Sequence, residues 1–247
     1  VDEVGAWLEE RLGALSKPAV WRQLRGYVPL LHAPTGAPWS FGFRTSYVAA
    51  RTNPVLADPD LSAESLQTLV LLYLEGFGPA SVADVAQFAL VQQARVRKAV
   101  DALSGELEQL EGPDGKPLFD LPGASRPPED TPAPPRLMAM WDSILLAYFD
   151  RSRVIPPDYR KLVTRINGDV LPTLLIDGYV AGVWRPTEGG IEATAFHRLP
   201  DDAWEGLAAE ARSLVVFLAG RESKVYRRFD HWWSKLPSAE VRLLPGD

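Results

Sequence analysis

Residues 79–100, PASVADVAQFALVQQARVRKAV, decide how the middle of this 247-residue chain folds. Ser81 and Asp84 stand three positions apart after the Gly78–Pro79 pair, and this spacing predicts a helix that begins with a capping box. Apolar residues then recur at helical spacing in two short runs. The runs are Val82, Val85, Ala86 and Ala89, and then Val96, Val100, Leu103 and Leu107. We therefore expect two consecutive helices here.

The flanking segments complete an ordered series of elements. A third helical stripe precedes the Gly78–Pro79 pair and consists of Leu66, Leu69, Val70, Tyr73 and Phe77. Two short alternating runs, 107–110 and 118–121, flank Asp114–Gly115 and predict a β-hairpin. Three helices followed by a hairpin within residues 60–121 is the element order of a winged helix, a variant of the helix-turn-helix.

Residues 1–53 carry a poorer copy of this pattern. A helix is predicted over 4–15 and a short second helix follows. Two β-rich runs, 27–32 and 39–49, then flank a candidate wing. One helix is missing at the front, and the chain begins with Val1 rather than Met. We therefore expect tandem winged helices, of which the first is truncated at its N terminus.

A proline-rich stretch follows the middle segment. Residues 121–135, LPGASRPPEDTPAPP, contain six prolines and show no apolar periodicity. Proline in such numbers excludes a helix or a central strand. We expect residues 122–135 to form an extended linker.

Residues 136–247 are expected to form a β-rich C-terminal domain. Asp177–Gly178 is a strong hairpin signal between two β-rich runs. Residues 136–149 are nearly continuously apolar and fit either a buried strand or a helix. The predicted elements are strands over 170–176, 179–185 and 191–198 and a helix over 201–220. The expected fold class is α+β: tandem winged helices followed by an antiparallel β-barrel or sheet with a packed helix.

The composition excludes several kinds of chemistry. The chain has no cysteine, so disulfides, thiol catalysis and thiolate metal sites are excluded. The histidines, His32, His197 and His231, lie too far apart for a zinc-binding spacing. No phosphate-binding loop, nucleophile elbow or metal motif occurs, nor a secretory signal or an apolar run of membrane-spanning length. We expect a cytoplasmic monomer without cofactor or metal.

The third predicted helix of the middle segment carries the first group of candidate binding residues. In a helix-turn-helix this helix would be the recognition helix. Its side chains Gln92, Gln93, Arg95, Arg97 and Lys98 are of the types that read base edges or hold phosphate. An ordinary solvated helix face is an equally open interpretation. The net charge of −6 also argues mildly against a general polyanion binder.

Other polar and aromatic residues leave two interpretations each. Arg151 and Arg153 predict a phosphate clamp with Asp150 orienting one arginine, or else Asp150 is part of a turn cap or loop salt bridge. Asp142 is either a general base with a raised pKa or a hydrogen-bonded structural residue. Trp232–Trp233 either stack on bases or pack in the core.

Six strings together resemble one family. They are FGPASVAD (77–84), GKPLFDLP (115–122), DTPAP (130–134), DSILL (142–146), DRSRV (150–154) and IDGYVAGVW (176–184). In this order they resemble the bacterial winged-helix DNA-binding domain proteins that include interstrand-crosslink DNA glycosylases of the AlkZ/YcaQ type. The resemblance implies a concave surface for double-stranded DNA. In the repair members it implies hydrolysis of the N-glycosidic bond of alkylated or crosslinked purines.

The catalytic motif of that family, Gln-x-Gln or Gln-x-Asp, is not found in this sequence. None of the six glutamines has Gln or Asp two residues on. They are Gln23, Gln67, Gln87, Gln92, Gln93 and Gln109. We expect the motif to lie upstream of Val1, and we assign no catalytic residue.

Three functions stay open from the sequence. The first is a DNA-binding protein resembling the repair glycosylases, and the second is a non-catalytic DNA binder such as a regulator or resistance protein. The third is a winged-helix module that binds another protein. The acidic middle segment favours this third function, because residues 61–120 contain nine acidic and four basic residues, a net charge of −5.

Overall fold

The computed structural model describes residues 2–13, 17–25, 28–35, 46–50, 58–113, 115–219 and 229–245. The chain divides into two compact units. The first comprises residues 1–57 and 218–228, and the second comprises residues 58–217 and 229–247. All the candidate DNA-binding residues lie in the second unit.

The first unit has two helices followed by a hairpin. Its elements are α1 (Asp2–Leu12), α2 (Lys17–Leu24), β1 (Leu30–Ala33) and β2 (Ser46–Ala49). The strands pair antiparallel, and the Tyr47 ring lies 5.6 Å from Trp21 and 4.7 Å from His32 between centroids. Of the predicted wing, residues 36–38 lie outside the described residues, and Ala33 belongs to β1. The interpretation of this segment as a truncated winged helix stays a prediction.

The helical half of the second unit (residues 58–121) has the predicted order of three helices and a hairpin. Its elements are α3 (Pro59–Phe77), α4 (Val82–Ala89), α5 (Gln93–Ala102), β3 (Glu108–Glu111) and β4 (Pro117–Asp120). The helices share one core, in which Val70, Val85 and Val96 are almost completely buried. This order and core are those expected of a winged helix, and that classification stays a prediction.

Local sequence signals explain where these helices begin. The Asp58 carboxylate accepts hydrogen bonds from the first turn of α3, whose first residue is Pro59. The predicted capping box of α4 is present, with Ser81 and Asp84 bonded to each other's backbone N–H groups. Between α3 and α4, Ala80 exchanges two backbone hydrogen bonds with Phe119, of 2.8 and 2.9 Å. This bridge attaches the hairpin to the helices.

The sheet half of the second unit (residues 136–217 and 229–245) is built on five antiparallel strands. Its elements are β5 (Arg136–Met138), α6 (Ser143–Leu146), a 3₁₀ turn (Arg151–Arg153), α7 (Pro157–Val163), β6 (Thr173–Ile176), β7 (Tyr179–Thr187), β8 (Gly190–Ala195), α8 (Asp201–Leu218), α9 (Asp230–Trp233) and β9 (Glu240–Leu244). The strand order is β5-β6-β7-β8-β9. The predicted hairpin is confirmed, since Asp177 and Gly178 have φ angles of 49° and 76° in the turn between β6 and β7.

The prediction of a barrel is wrong, because the sheet is open. Its edge strands are β5 and β9, and in the described part of the chain they pair only with β6 and β8. A barrel requires its first and last strands to pair. The alternative of a sheet with a packed helix is confirmed. Trp204 of α8 is buried, and its indole N–H donates a 3.0 Å hydrogen bond to Glu240 of β9.

The proline-rich segment has no helix or strand in residues 121–135, all of which the structure describes. It is held near both ends. Arg126 forms a 2.6 Å ion pair with Glu108. Pro135 packs closely on Gly206 of α8, since a Cβ on Gly206 would lie 2.8 Å from the proline ring. The apolar run that follows forms both a strand and a helix, β5 and α6.

Candidate nucleic-acid interface

The predicted residues of α5 form one exposed polar surface, called here the α5 surface. Its members are Gln92, Gln93, Arg95, Arg97 and Lys98, all of which are exposed. The helix buries Val96, Ala99 and Val100 against α3 and α4. Gln92 stands at the N-cap, but its side chain makes no capping hydrogen bond. Its amide is therefore available to an external partner.

The α5 surface is positive and has few internal partners. Residues 85–100 contain no aspartate or glutamate, and the carboxylate just before them, Asp84, is buried. Arg95 donates a 2.8 Å hydrogen bond from Nη2 to Ser62 Oγ on α3, which orients its guanidinium. Within the described residues, Arg97 and Lys98 form no ion pair with a carboxylate. These two cations thus form no ion pair, although the exposed Asp101 lies one turn further along α5.

The loop that carries the second predicted group is a capped 3₁₀ turn. The Asp150 carboxylate accepts a 3.0 Å hydrogen bond from the Ser152 N–H. This bond and a second from the Ser152 side chain hold the pKa of Asp150 below its usual value. Asp150 forms no ion pair with Arg151 or Arg153 among the described residues. The turn-cap interpretation of Asp150 is confirmed, and the phosphate clamp stays a prediction.

Arg153 joins the two halves of the second unit. Its guanidinium carbon lies 4.2 Å from the centroid of the Tyr148 ring. Nη1 donates a 3.2 Å hydrogen bond to the carbonyl of Pro79, between α3 and α4. Planar stacking combined with a directed hydrogen bond is a use of arginine that lysine does not reproduce. Arg153 remains exposed, so its contacts leave part of the guanidinium accessible.

Arg151 is the uncompensated cation of this loop. It is half-buried, and neither an ion pair nor a side-chain hydrogen bond to it is present in the described chain. Burial and the charge of Arg160 on α7 lower its pKa. A partly desolvated cation beside another cation is stabilised by an anion that contacts both. Arg160 is thus a neighbouring cation of Arg151, and it also interacts with the Asp150 carboxylate.

Three further contacts join the helical and sheet halves. The Tyr73 hydroxyl donates to the Ala147 carbonyl at 2.8 Å, and the Tyr148 hydroxyl donates to the Phe77 carbonyl at 3.2 Å. The Asp84 carboxylate accepts from the Phe149 N–H at 2.8 Å. Burial is the largest cause of the raised pKa of both tyrosines, which therefore stay protonated and donate. The capping box signalled Asp84, but no local spacing signalled its distant partner.

The other candidates have structural roles. Asp142 accepts a 3.0 Å hydrogen bond from the Ile144 N–H and caps α6, as the structural interpretation predicts. Trp232 and Trp233 are only 4% and 7% exposed, so they pack in the core and do not offer a stacking surface for bases. The described residues contain no group of three or more metal-ligating side chains. None of the described helices is long and apolar enough to cross a membrane.

A family model gives the decisive comparison. The model of the DNA glycosylase AlkZ-like family matches residues 1–217. The chain belongs to the AlkZ-like DNA glycosylase family. The family resemblance expected from the six sequence strings is confirmed. The matched range includes the α5 surface and the loop 150–153.

Relatives of this AlkZ-like chain are longer than it is. The chain is 27% identical over 215 residues to an interstrand DNA cross-link repair glycosylase of Streptomyces sahachiroi, covering 82% of this chain and 56% of that protein. It is also similar to the solved structure of Streptomyces sahachiroi DNA glycosylase AlkZ, with a TM-score of 0.57 and 23% identity. That likeness covers 83% of this chain and 55% of the solved chain. The AlkZ-like chain thus spans about half the length of these relatives.

Proposed function

We propose that this AlkZ-like chain binds double-stranded DNA and acts in a repair glycosylase that excises alkylated or crosslinked purines. The observation that carries the proposal is the α5 surface, which combines exposed cations that form no ion pair with exposed amides in a chain of a DNA glycosylase family. The proposed contacts are Gln92, Gln93, Arg95, Arg97, Lys98, Arg151 and Arg153.

The chemistry of these side chains suits the two parts of a DNA duplex. Arg97 and Lys98 hold backbone phosphates, and the amides of Gln92 and Gln93 match the adenine edge in the major groove. Arg151, with Arg160 beside it, adds a phosphate contact from the sheet half. The helical half supports this use, since in a helix-turn-helix the third helix is the one that enters the groove.

The proposed reaction needs little acid catalysis. Water attacks the sugar C1′ as the bond from C1′ to the base nitrogen breaks. The electrons of that bond neutralise the cationic purine, which leaves, and the proton lost by the water passes to solvent. An alkylated purine in DNA is cationic and already labile, so positioned amides that orient a water are a sufficient mechanism. Because no Gln-x-Gln or Gln-x-Asp is present, we assign none of these residues to catalysis. We expect the 247-residue chain to bind alkylated duplex without releasing the base.

Two measurements on the 247-residue chain test the proposal. The first is titration of a labelled duplex, followed by fluorescence anisotropy at 50 and 200 mM salt. The five cations among the proposed contacts predict that affinity falls roughly 500-fold between these concentrations. Failure to bind at 50 mM salt would contradict DNA binding. The second is chromatography of bases after incubation with alkylated duplex, and a released purine would contradict the absence of catalytic residues.

One observation favours a second candidate, a module that binds another protein. The hairpin of the helical half carries Glu111 on β3, and Glu106 precedes this strand, whereas Glu108 between them is paired with Arg126. In a winged helix that grips DNA the wing meets phosphates, and carboxylates there are repelled. Under this alternative the α5 surface is only a solvated helix face. The same anisotropy titration separates the candidates, because a protein-binding module shows no steep dependence of duplex affinity on salt.

A further inference from the structure

Leu90, between α4 and α5, is unfavourably placed in two ways. Its side chain is 85% exposed. Its backbone is left-handed, with φ 54° and ψ 38°, a conformation that glycine adopts freely and leucine does not. Among the described residues, Leu90 belongs to neither hydrophobic core cluster of the second unit. Leu90 is followed directly by Val91 and then by the α5 surface.

The helix end fixes this conformation. The N–H groups of Leu90 and Val91 both bond to the carbonyl of Ala86, as at helix ends that close on a left-handed residue. Glycine or asparagine is the usual residue at such a position. Leucine here satisfies no requirement of the turn, and the left-handed backbone holds its side chain out in solvent.

The surroundings of Leu90 indicate which partner it meets. It lies in the stretch 85–100, which has no carboxylate and carries three cations. Gln92 and Gln93 follow it within three positions. Cations hold backbone phosphates, and in the major groove amides pair with adenine while apolar groups contact the thymine methyl.

We propose that Leu90 is an apolar DNA contact that packs on thymine methyl groups in the major groove. The proposal rests on the proposed function, because it requires α5 to approach DNA by its N-terminal end. That is the end of a recognition helix that meets base edges. Leu90 thus contributes to sequence preference, which the cations of the surface do not supply.

Two substitutions separate the side chain from the backbone. Leu90→Ala removes most of the apolar group and keeps a residue that disfavours the left-handed backbone. Leu90→Asn removes the apolar group and relieves the backbone. We expect each to weaken duplex binding about tenfold, whereas Leu90→Asn raises the melting temperature of the protein. Leu72→Ala is the matched control, since Leu72 is a 61% exposed leucine on α3, and we expect less than a twofold change in affinity.

Two further measurements identify the contact. Leucine carries no charge, so the salt dependence of binding stays as in the wild type. A duplex in which deoxyuridine replaces thymidine lacks the methyl group. We expect the wild type to bind this duplex more weakly than the thymidine duplex. We expect Leu90→Ala to bind the two duplexes with equal affinity.

Each contrary result has its own meaning. Wild-type affinity retained by both Leu90 variants overturns this inference and leaves the proposed function intact. A wild type that binds no duplex at 50 mM salt overturns both. In the third contrary result, sedimentation shows that the wild type is a dimer and Leu90→Asn is a monomer, and both bind DNA with the same affinity. It assigns Leu90 to contact with a second copy and overturns the DNA contact.

Discussion

The Asp84 carboxylate accepts a 2.8 Å hydrogen bond from the backbone N–H of Phe149, although the two residues are 65 positions apart. The same carboxylate accepts bonds of 2.8 and 2.7 Å from the N–H and hydroxyl of Ser81. Asp84 is only 6% exposed. One buried side chain therefore caps α4, which precedes the α5 surface, and fixes the residue before the loop 150–153.

Asp84→Asn tests this double role. Asparagine has one acceptor oxygen where aspartate has two, so at least one buried N–H loses its partner. We expect the free energy of unfolding to fall by about 2 kcal/mol, measured by urea denaturation. Ser81→Ala is the control, because it removes only the local cap, at a cost of about 1 kcal/mol. A loss no larger for Asp84→Asn than for Ser81→Ala would show that the bond to Phe149 contributes nothing.

Two glycines two residues apart are expected to respond in opposite directions. A Cβ on Gly78 would lie 2.2 Å from the Asp120 carboxylate and 2.6 Å from the Leu74 carbonyl, whereas a Cβ on Gly76 meets nothing within 4 Å. We expect Gly78→Ala to lower the free energy of unfolding by about 2 kcal/mol. Gly76→Ala, inside α3, should raise it by about 0.5–1 kcal/mol. Equal effects in thermal denaturation would contradict the close approach of α3 to the hairpin.

Arg151 and Arg153 are both proposed DNA contacts, but only Arg153 should also stabilise the fold. We expect Arg151→Ala to reduce the slope of log affinity against log salt by about one and to leave stability unchanged. Arg153→Ala should lower the free energy of unfolding by about 1–2 kcal/mol, since it loses the Tyr148 stack and the bond to Pro79. Arg153→Lys keeps the charge but not the planar stack, and we expect it to recover less than half of that loss. An Arg153→Ala variant of wild-type stability would contradict the structural role.

The contribution of Asp150 to the stability of the protein should depend on pH in the acid range. Its pKa is lowered in the fold by the Ser152 N–H. A carboxyl whose pKa is lower in the folded than in the unfolded protein stabilises the fold above its unfolded pKa, which is near 4. This stabilisation is lost as the pH falls from there through the folded pKa. Asn accepts the same hydrogen bond without titrating. We therefore expect the melting temperature of Asp150→Asn to fall less between pH 5 and pH 3 than that of the wild type. Equal falls would mean that the cap does not depend on charge.

Local signals in the sequence predicted much of this fold. The Ser81–Asp84 spacing located the start of α4, and Asp177–Gly178 located a two-residue turn, because both signals act within a few residues. The apolar spacing of Val96 and Val100 located α5 and therefore its polar surface. The six sequence strings were sufficient to identify the family.

The long-range contacts could not be predicted from local sequence patterns. The bond from Phe149 to Asp84 and that from Arg153 to Pro79 connect residues far apart in the chain, so no local pattern contains them. The barrel was wrong for a related reason. Strand-forming residues and turns predict strands and their neighbours, whereas closure depends on whether β5 and β9 meet. The half-burial that identifies Arg151 as an uncompensated cation is likewise a property of the packed structure.

The most direct test of DNA binding through the α5 surface is the salt dependence of duplex affinity for the Arg97→Ala, Lys98→Ala double variant. Arg212→Ala is the control, since Arg212 is an exposed cation on α8 outside the proposed interface. The double variant should lower the magnitude of the slope of log affinity against log salt by about two, and the control should leave it unchanged. A double variant with the wild-type affinity and slope would contradict the account.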